Sequence, residues 1–321
     1  MGMLGFLVLV AMVMGSGTIR SEAKLSTSYY DRTCPQVERV VSETVWNASM
    51  HDSKVPPRIL RMFFHDCFIT GCDASVLLDS TPKNQAEKDA PPNVSLRSFY
   101  VIDQAKAKLE TVCPRTVSCS DILTIAARDA VTLSGGPYWN MKKGRKDGKV
   151  SKASNTRGLP GPTFNVSQLL QSFSNRGLSK KDLVILSGGH TIGFSHCSSL
   201  KTRIRNFNSS HFSDPTMNPE FAVTLRTQCP PHNVNPNAGQ LLDSTSRKFD
   251  NNYYKRLMGG KGVFGSDQDL FTDPRTRGLV ELFAKDQGAF FREFAASMIK
   301  LGEVGVKDKD GEVRINCRIV N

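Results

Sequence analysis

Eight cysteines constrain the fold of this chain more than any other feature, because an even number can pair completely in an oxidising compartment. All eight lie from Cys34 onwards, so the loss of an N-terminal leader would leave the set intact. Four pairs can connect in about 105 ways, and only Cys67 and Cys72 are close enough in sequence to indicate a small local loop. The chain has neither a Cys-x-x-Cys pair nor histidines at finger spacing, which argues against a zinc site.

Residues 1–23 have the layout of a secretory signal peptide. Every residue from position 3 to position 15 is apolar or glycine, and Ser21-Glu22-Ala23 places small residues at both key cleavage positions. No basic residue precedes the apolar run, which is also too short to span a bilayer comfortably. We therefore expect cleavage after Ala23, and we expect the mature protein, residues 24–321, to be secreted and free of the membrane.

The charge and the sequons are consistent with export. The net charge is +12, and four Asn-x-Ser sequons are potential glycan sites on a secreted surface. An extracellular basic protein is expected to meet acidic wall polysaccharide rather than nucleic acid, although the excess charge could equally serve solubility alone. The sequons begin at Asn47, Asn93, Asn165 and Asn208.

Hydrophobic periodicity predicts a mostly α-helical chain with minimal β structure. Helical spacing of apolar residues predicts helices over 56–68, 101–112 and 121–131. Capping patterns predict three more helix starts, at Ser179, at Asn218-Pro219 and at Asp273-Pro274. The best strand candidate is Val313-Arg314-Ile315, and residues 144–162 are predicted to connect two helical halves.

Arg61 and His65 form the most suggestive polar pair. They lie four residues apart on a predicted helix and therefore share one face, with Phe64 beside them. An imidazole can move a proton while a guanidinium stabilises developing negative charge, which suits heterolytic chemistry. In isolation, such a pair is more often a surface ion-pairing motif.

Two long segments resemble motifs of the class III (secretory plant) haem peroxidases. Arg61-x-x-Phe64-His65-Asp66-Cys67-Phe68 continues into Gly71-Cys72-Asp73-Ala74-Ser75 and is similar to the distal motif. Residues 182–193, which end in Gly188-Gly189-His190-Thr191-Ile192-Gly193, resemble the proximal motif and lack the ending of a phosphate loop. The resemblance covers residues 24–321 and includes all eight cysteine positions.

The resemblance implies an all-α haem peroxidase fold in which two helical halves sandwich one haem. The distal half would span about 24–150 together with the C-terminal tail, and the proximal half about 160–300. It also implies four disulfides, which are Cys34–Cys113, Cys67–Cys72, Cys119–Cys317 and Cys197–Cys229.

The resemblance further implies a role for each residue around one haem b. His190 would be the axial iron ligand, with its other ring nitrogen bonded to Asp267. On the opposite face His65 would move the peroxide proton, assisted by Arg61 and flanked by Phe64. Three further matches are Asn93, which would hold His65, Glu87 behind Asn93, and Pro160, which would line the entry for aromatic donors.

Two calcium ions are implied as well. The distal ion would take side-chain oxygens of Asp66, Asp73 and Ser75 and carbonyls of Ile69 and Gly71, a set of hard ligands that could otherwise be a solvated acidic turn. The proximal ion would take oxygens from Thr191, Asp243 and Asp250. The Asp243–Asp250 interval is one residue shorter than the commonest family pattern, so Thr245 and Ser246 are both candidates for the middle ligand.

The expected function is therefore that of a secreted, monomeric peroxidase of the cell wall space. It would reduce hydrogen peroxide and oxidise small phenolic donors in one-electron steps, with roles in lignification, wall cross-linking and the response to oxidative stress. A wall-binding relative without activity is the main alternative, but the complete set of matched site residues argues against it. A serine hydrolase is disfavoured because no Gly-x-Ser-x-Gly elbow is present.

Overall fold

The computed structural model describes residues 25–232, 235, 237–307 and 310–321, so the predicted signal peptide lies outside the described residues. The described chain is mostly helical, as predicted. Its α-helices, in chain order, are α1 (Val37–His51), α2 (Val55–Ile69), α3 (Phe99–Val112), α4 (Cys119–Leu133), α5 (Val166–Ser174), α6 (Lys180–Ser187), α7 (Lys201–Ile204), α8 (Pro219–Gln228), α9 (Asn252–Met258), α10 (Gly265–Thr272), α11 (Pro274–Lys285) and α12 (Gln287–Leu301).

The helix starts follow the predicted caps. The Ser179 hydroxyl accepts the N–H of Asp182 at 3.2 Å, and the Asp182 carboxylate accepts the N–H of Ser179 at 2.9 Å, which completes a capping box at α6. Asn218 and Asp273 each precede a proline at the first position of α8 and α11 and accept a main-chain N–H from the first turn. These caps satisfy donors that the helix itself leaves unpaired.

The strand prediction was wrong. In the described chain the β-strands are β1 (Phe194–His196) and β2 (Gly239–Leu241), an antiparallel pair in which Phe194 lies opposite Leu241. Val313–Ile315 forms no strand because Arg314 is fully buried and donates to the carbonyls of Cys317 and Ala74. The side chain therefore anchors the tail in place of a ladder.

Helix α4 forms the centre of the first group of helices. Every residue from 119 to 131 is buried, and the helix packs against α1, α2 and α3. Its N-terminus receives the buried carboxylate of Asp147, which accepts the N–H groups of Cys119 and Ser120 at 3.1 and 2.9 Å. A negative charge at this end of a helix is favourable because the unpaired N–H groups carry partial positive charge. The long connection after α4 is thereby fixed to it.

A second group comprises the later helices. Helix α12 packs on α6, α11 packs on α9 and α10, and α5 packs on α6. Phe249, Phe290 and Phe294 are buried between these elements with ring centroids 4.7–5.6 Å apart. The 3-10 turn Ala153–Gly158, which lies in the predicted connection, packs against α2, and its Gly158 carbonyl accepts the hydroxyl of Ser172 on α5 at 3.2 Å, so it contacts both groups. No helix in the described ranges is long and apolar enough to cross a membrane.

All eight cysteines are paired, in the combinations that the family resemblance implies. The disulfides are Cys34–Cys113, Cys67–Cys72, Cys119–Cys317 and Cys197–Cys229. Cys119–Cys317 ties the C-terminal tail to the start of α4. The main-chain bridge between Asp147 and Glu312 reinforces the same return.

The four disulfides should not contribute equally to stability. Cys119 and Cys317 are 198 residues apart, whereas Cys67 and Cys72 are 5 apart. Chain entropy then predicts that replacing the first pair by alanine lowers the free energy of unfolding by roughly 5 kcal/mol, and replacing the second pair by roughly 2 kcal/mol. Denaturant unfolding of both variants under non-oxidising conditions measures the difference, and equal losses would contradict a chain-entropy origin.

Candidate active site

Helix α2 presents three of the predicted site residues on one face. Arg61 is exposed although its neighbours Leu60 and Met62 are buried, so its guanidinium projects into a space rather than into the core. That guanidinium donates to the Ser95 hydroxyl at 3.0 Å and to the Pro92 carbonyl at 2.8 Å. Arg61 is therefore held in one direction. The partly buried Phe64 lies one helical turn along the same face and stacks on Phe68 at a centroid distance of 4.3 Å.

His65 is oriented by an asparagine. Its Nδ1 lies 2.6 Å from the Asn93 amide oxygen, and the Asn93 Nδ2 donates to the main-chain carbonyl of Glu87 at 2.7 Å. The Asn93 oxygen can only accept, so Nδ1 carries the proton and Nε2 keeps a free lone pair. Glu87 does lie behind Asn93, but its main chain rather than its carboxylate makes the contact. Asn93 is 1 % exposed, which leaves no room for a glycan on its sequon in this fold.

His65 is poised as a base rather than as a cation. Burial lowers the pKa of His65 to about 3, and the nearby charges of Arg61 and His190 act in the same direction, against the hydrogen bond to Asn93. The imidazole is therefore neutral throughout the physiological range. A neutral ring with a fixed tautomer can accept a proton at Nε2.

His190 is positioned opposite α2 by the end of α6 and a 3-10 turn, Gly188–Thr191. Glycine is required at position 188 because a Cβ there would collide with the Tyr254 hydroxyl and the Phe290 ring. This close approach sets the chain direction two residues before the histidine. At Gly189 a Cβ would lie 3.5 Å from Leu60 Cδ2, which places the turn directly against α2.

The His190 ring is bonded on one side only. Its Nδ1 lies 2.9 Å from Oδ1 of Asp267, a residue on α10 that is 3 % exposed. The same carboxylate oxygen accepts the Tyr253 hydroxyl at 2.9 Å, and the Phe264 ring packs edge-on against the imidazole. Burial opposes protonation of His190, but the Asp267 charge and hydrogen bond outweigh it and raise the pKa of this histidine. The carboxylate thus makes the ring more basic.

The His190 ring is open on the side away from Asp267 and can act there as an imidazole donor. The His190 side chain is 42 % exposed even though Asp267, Tyr253 and Phe264 enclose its Nδ1 side. Among the described residues no hydrogen bond reaches its Nε2. Across this space His190 and the His65–Arg61 pair are close enough to shift one another's pKa values. The donor set, one neutral imidazole made electron-rich by a buried carboxylate, suits haem iron.

The residues matched to the distal calcium form a buried acidic cluster beside α2. Asp66 accepts the N–H of Ala74 at 2.9 Å, and the Ser75 hydroxyl donates to the Glu87 carboxylate at 2.9 Å. Burial, together with the charges of Asp73 and Glu87, raises the pKa of Asp66 well above its usual range. Burial likewise raises the pKa of Glu87 to about 8. A divalent cation would relieve the repulsion between these buried carboxylates and could take their oxygens as ligands. Ile69 is the last residue of α2, and Gly71 lies in the short loop that follows it.

The residues matched to the proximal calcium also converge. The Thr191 hydroxyl lies 3.1 Å from a carboxylate oxygen of Asp243 and 3.2 Å from one of Asp250. The Thr245 hydroxyl makes the same two contacts at 2.9 and 3.1 Å. Ser246 instead uses its carbonyl to accept the N–H of Gly193. Thr245 is therefore the candidate whose side chain joins this cluster.

Neither acidic cluster could hold a metal ion through carboxylates alone. Within the part of the chain that the structure describes, no three His, Cys, Asp or Glu side chains are grouped so as to hold a metal ion by themselves. Both acidic clusters would thus need hydroxyl or carbonyl oxygens as well. Pro160 is half-buried in the loop that follows the 3-10 turn Ala153–Gly158.

Sequence reasoning missed the residues that hold the site residues in place. Ser95 and Pro92 fix Arg61, and Tyr253 shares the Asp267 carboxylate with His190. None of them carries a signal of its own, because a serine, a main-chain carbonyl and a tyrosine are common structural features.

Comparison with known proteins identifies the class of protein that this architecture defines. A family model described as Peroxidase matches residues 41–286. The chain belongs to this family, and its relatives place it among the plant class III peroxidases, so its fold is the all-α haem peroxidase fold. It is an enzyme that reduces hydrogen peroxide while oxidising small donor substrates, and the family implies a haem cofactor.

Individual relatives match nearly the whole chain. Peroxidase 66 of Arabidopsis thaliana is 66 % identical over 302 residues, which cover 94 % of each chain. Peroxidase 64 of the same plant is 54 % identical over 99 % of this chain and 98 % of its own length. Peroxidase 5 of Vitis vinifera is 46 % identical over 95 % of this chain and 94 % of its own.

The depressed pKa of His65 predicts an unusual acid limit for peroxide turnover. A base whose pKa is about 3 stays deprotonated above that value, so the rate should remain flat from neutral pH down to about pH 4 and fall only as pH approaches 3. Asn93→Asp places a carboxylate on Nδ1, which stabilises the imidazolium and should move the acid limb to higher pH. The pH dependence of kcat/KM for peroxide measures this shift. Asn84→Asp, which lies outside the contacts of His65, is the control. If kcat/KM of the Asn93 variant fell at the same acid pH as that of the wild type, the role of His65 as the base would be contradicted.

Proposed function

We propose that this chain is a secreted haem peroxidase that binds its iron through His190 and oxidises phenolic donors in the cell wall space. The observation that carries the proposal is the His190–Asp267 pair, which leaves one imidazole nitrogen open towards Arg61 and the Asn93-bound His65. Haem b, one per chain, would supply the redox chemistry that these side chains cannot. The two helix groups, one on each side of this space, support the division into a distal half (24–150 plus the tail) and a proximal half (160–300).

On the distal side, each residue has a distinct role. The neutral His65 would take a proton from one peroxide oxygen at Nε2 and return it to the other, so that this second oxygen can leave as water, with haem supplying the two electrons that the cleavage requires. Arg61, held by Ser95 and Pro92, stabilises the negative charge that develops as the O–O bond breaks. Asn93 keeps the His65 tautomer constant through this cycle, and Phe64 closes the side of the site next to them.

On the proximal side, Asp267 holds a hydrogen-bonded proton on Nδ1 of His190. A buried carboxylate in this position fixes the ring orientation and increases the electron density that the ring donates. Tyr253 fixes the carboxylate in turn, since its hydroxyl bonds the same oxygen. This chain of hydrogen bonds supports His190 as the residue that would hold the haem iron.

The two acidic clusters are proposed as calcium sites. The distal cluster offers Asp66, Asp73 and Ser75 with the carbonyls of Ile69 and Gly71, and it begins directly after His65. The proximal cluster comprises Thr191, Asp243, Thr245 and Asp250, of which Thr191 follows His190. A cation in each would stiffen the segment that carries one of the two histidines.

The proposed location outside the cell rests on the predicted signal peptide and on the net positive charge of the protein. The apolar N-terminus supports secretion, and the net charge of +12 supports retention by acidic wall polysaccharide. Phenolic donors would enter past Pro160 and be oxidised one electron at a time. Lignification, wall cross-linking and the response to oxidative stress are the roles that this chemistry and location fit, for a protein acting as a monomer.

Replacing His65 tests the distal assignment. His65→Leu should still bind haem but consume peroxide about 10²–10⁴-fold more slowly, because a positioned acid–base group is lost. Stopped-flow mixing with peroxide measures the rate, and visible absorption verifies that the pigment is retained. His232→Leu, at an exposed site, is the matched control and should be unaffected. An unchanged rate in the His65 variant would remove this residue from the mechanism.

Replacing Asp267 tests the proximal assignment independently of turnover. Asp267→Asn keeps an oxygen that can accept from Nδ1 but removes the charge, so the His190 ring should donate less electron density. The ferric/ferrous reduction potential should therefore become more positive, as measured by spectroelectrochemistry. Asp269→Asn, two residues further along α10, is the control. A potential that is the same in both variants and the wild type would argue against His190 as the ligand.

A further inference from the structure

A continuous row of aromatic rings runs from His190 into the second group of helices. Every ring in the row is buried except that of His190, and each step is a ring-to-ring contact. The centroid distances are 6.2 Å from His190 to Tyr253, 5.1 Å to Tyr254, 5.0 Å to Phe290, 5.6 Å to Phe294 and 6.3 Å to Trp139.

The row ends at the surface of the protein. Trp139 and Tyr138 are adjacent in the segment that follows α4. Trp139 points inwards and is 6 % exposed, whereas Tyr138 points outwards and is 57 % exposed. One backbone link therefore joins the last buried ring to an exposed phenol.

Tyr138 is fixed in its exposed position. The guanidinium of Arg128 lies 4.7 Å from the Tyr138 ring centroid and donates to the phenolic oxygen at 3.1 Å. Arg128 is itself buried and paired with Glu38 and Asp129. An ordered exposed phenol costs conformational freedom and gains little burial, so packing alone does not account for it.

The residue types suit electron movement. Tyrosine and tryptophan are the side chains that lose an electron most readily, so Tyr253, Tyr254 and Trp139 are the members of the row that can hold the charge. The two phenylalanines fill the interval between Tyr254 and Trp139 with packed rings. Because the row is buried, water does not intercept a transient radical within it.

We propose that Tyr138 is a second oxidation site, electronically connected to the haem side of His190 by this row, for phenolic groups on polymers too bulky to enter the interior. The inference rests on the proposed role of His190. The oxidising equivalent comes from peroxide reduction. One electron passes inwards from Tyr138 along the row, and the phenolic proton leaves to water. A phenolic group of the polymer then gives one hydrogen atom to Tyr138, which restores the tyrosine and leaves a phenoxyl radical on the polymer.

Radical trapping tests the path without relying on turnover. The holoenzyme is mixed with peroxide and a nitroso spin trap in the absence of any donor, and the adducts are located by peptide mass spectrometry. The label should appear at residue 138, disappear from that position in Tyr138→Phe and decline strongly in Trp139→Phe. Tyr100→Phe is the matched control, because Tyr100 is 45 % exposed on α3 and lies outside the row.

A donor of controlled size provides the second measurement. The quantity measured is the ratio of two oxidation rates, that of a phenol coupled to a large dextran and that of the free phenol. Tyr138→Phe should lower this ratio, and Tyr100→Phe should leave it unchanged. A protein that oxidises the free phenol but shows no label at residue 138, or no change in this ratio, would overturn the inference and leave the proposed function standing. A haem-loaded protein that consumes no peroxide would overturn both.

Discussion

The hydrogen bond between His190 and Asp267 is the interaction on which the rest of the site depends. It joins two segments that are 77 residues apart, the turn after α6 and the first turn of α10. By occupying Nδ1 it determines which imidazole nitrogen faces the central space. The buried carboxylate also makes that nitrogen a stronger donor, so one contact sets the geometry and the electronic character of the proximal side.

The surrounding fold keeps the two sides of the site in register. Helix α2 presents Arg61 and His65 from one face, and the packing of α2 against the largely buried α4 determines the direction of that face. The turn at Gly188 brings the proximal segment up against Leu60 of the same helix. The two histidines are therefore placed by rigid elements rather than by long loops, as an acid–base group and a metal ligand require.

Much of this arrangement could be predicted from the sequence. The helical periodicity of α2, α3 and α4 and the capping pairs at Ser179, Asn218 and Asp273 are local signals, and local signals persist in the structure. The failure at Val313–Ile315 has the opposite origin. The β-favouring Val313 and Ile315 flank Arg314, but the buried Arg314 bonds to carbonyls about 240 residues away, a contact that no local pattern contains.

The site shows the same division between local and long-range information. Arg61 and His65 were predictable as a pair because helical spacing relates them, and the family resemblance supplied their partners. Two other contacts depend on how distant segments pack. Asn93 bonds to the main-chain carbonyl of Glu87, and Tyr253 shares the Asp267 carboxylate with His190. The choice of Thr245 over Ser246 likewise required coordinates, since both hydroxyls have suitable chemistry.

The central claim is that the open nitrogen of His190 binds haem iron, and titration of the haem-free protein with ferric haem tests it most directly. The account predicts that the Soret absorption band saturates at one haem per chain and that His190→Ala abolishes this saturable binding, while His196→Ala retains it. Equal haem binding by the His190 variant and the wild type would contradict the account.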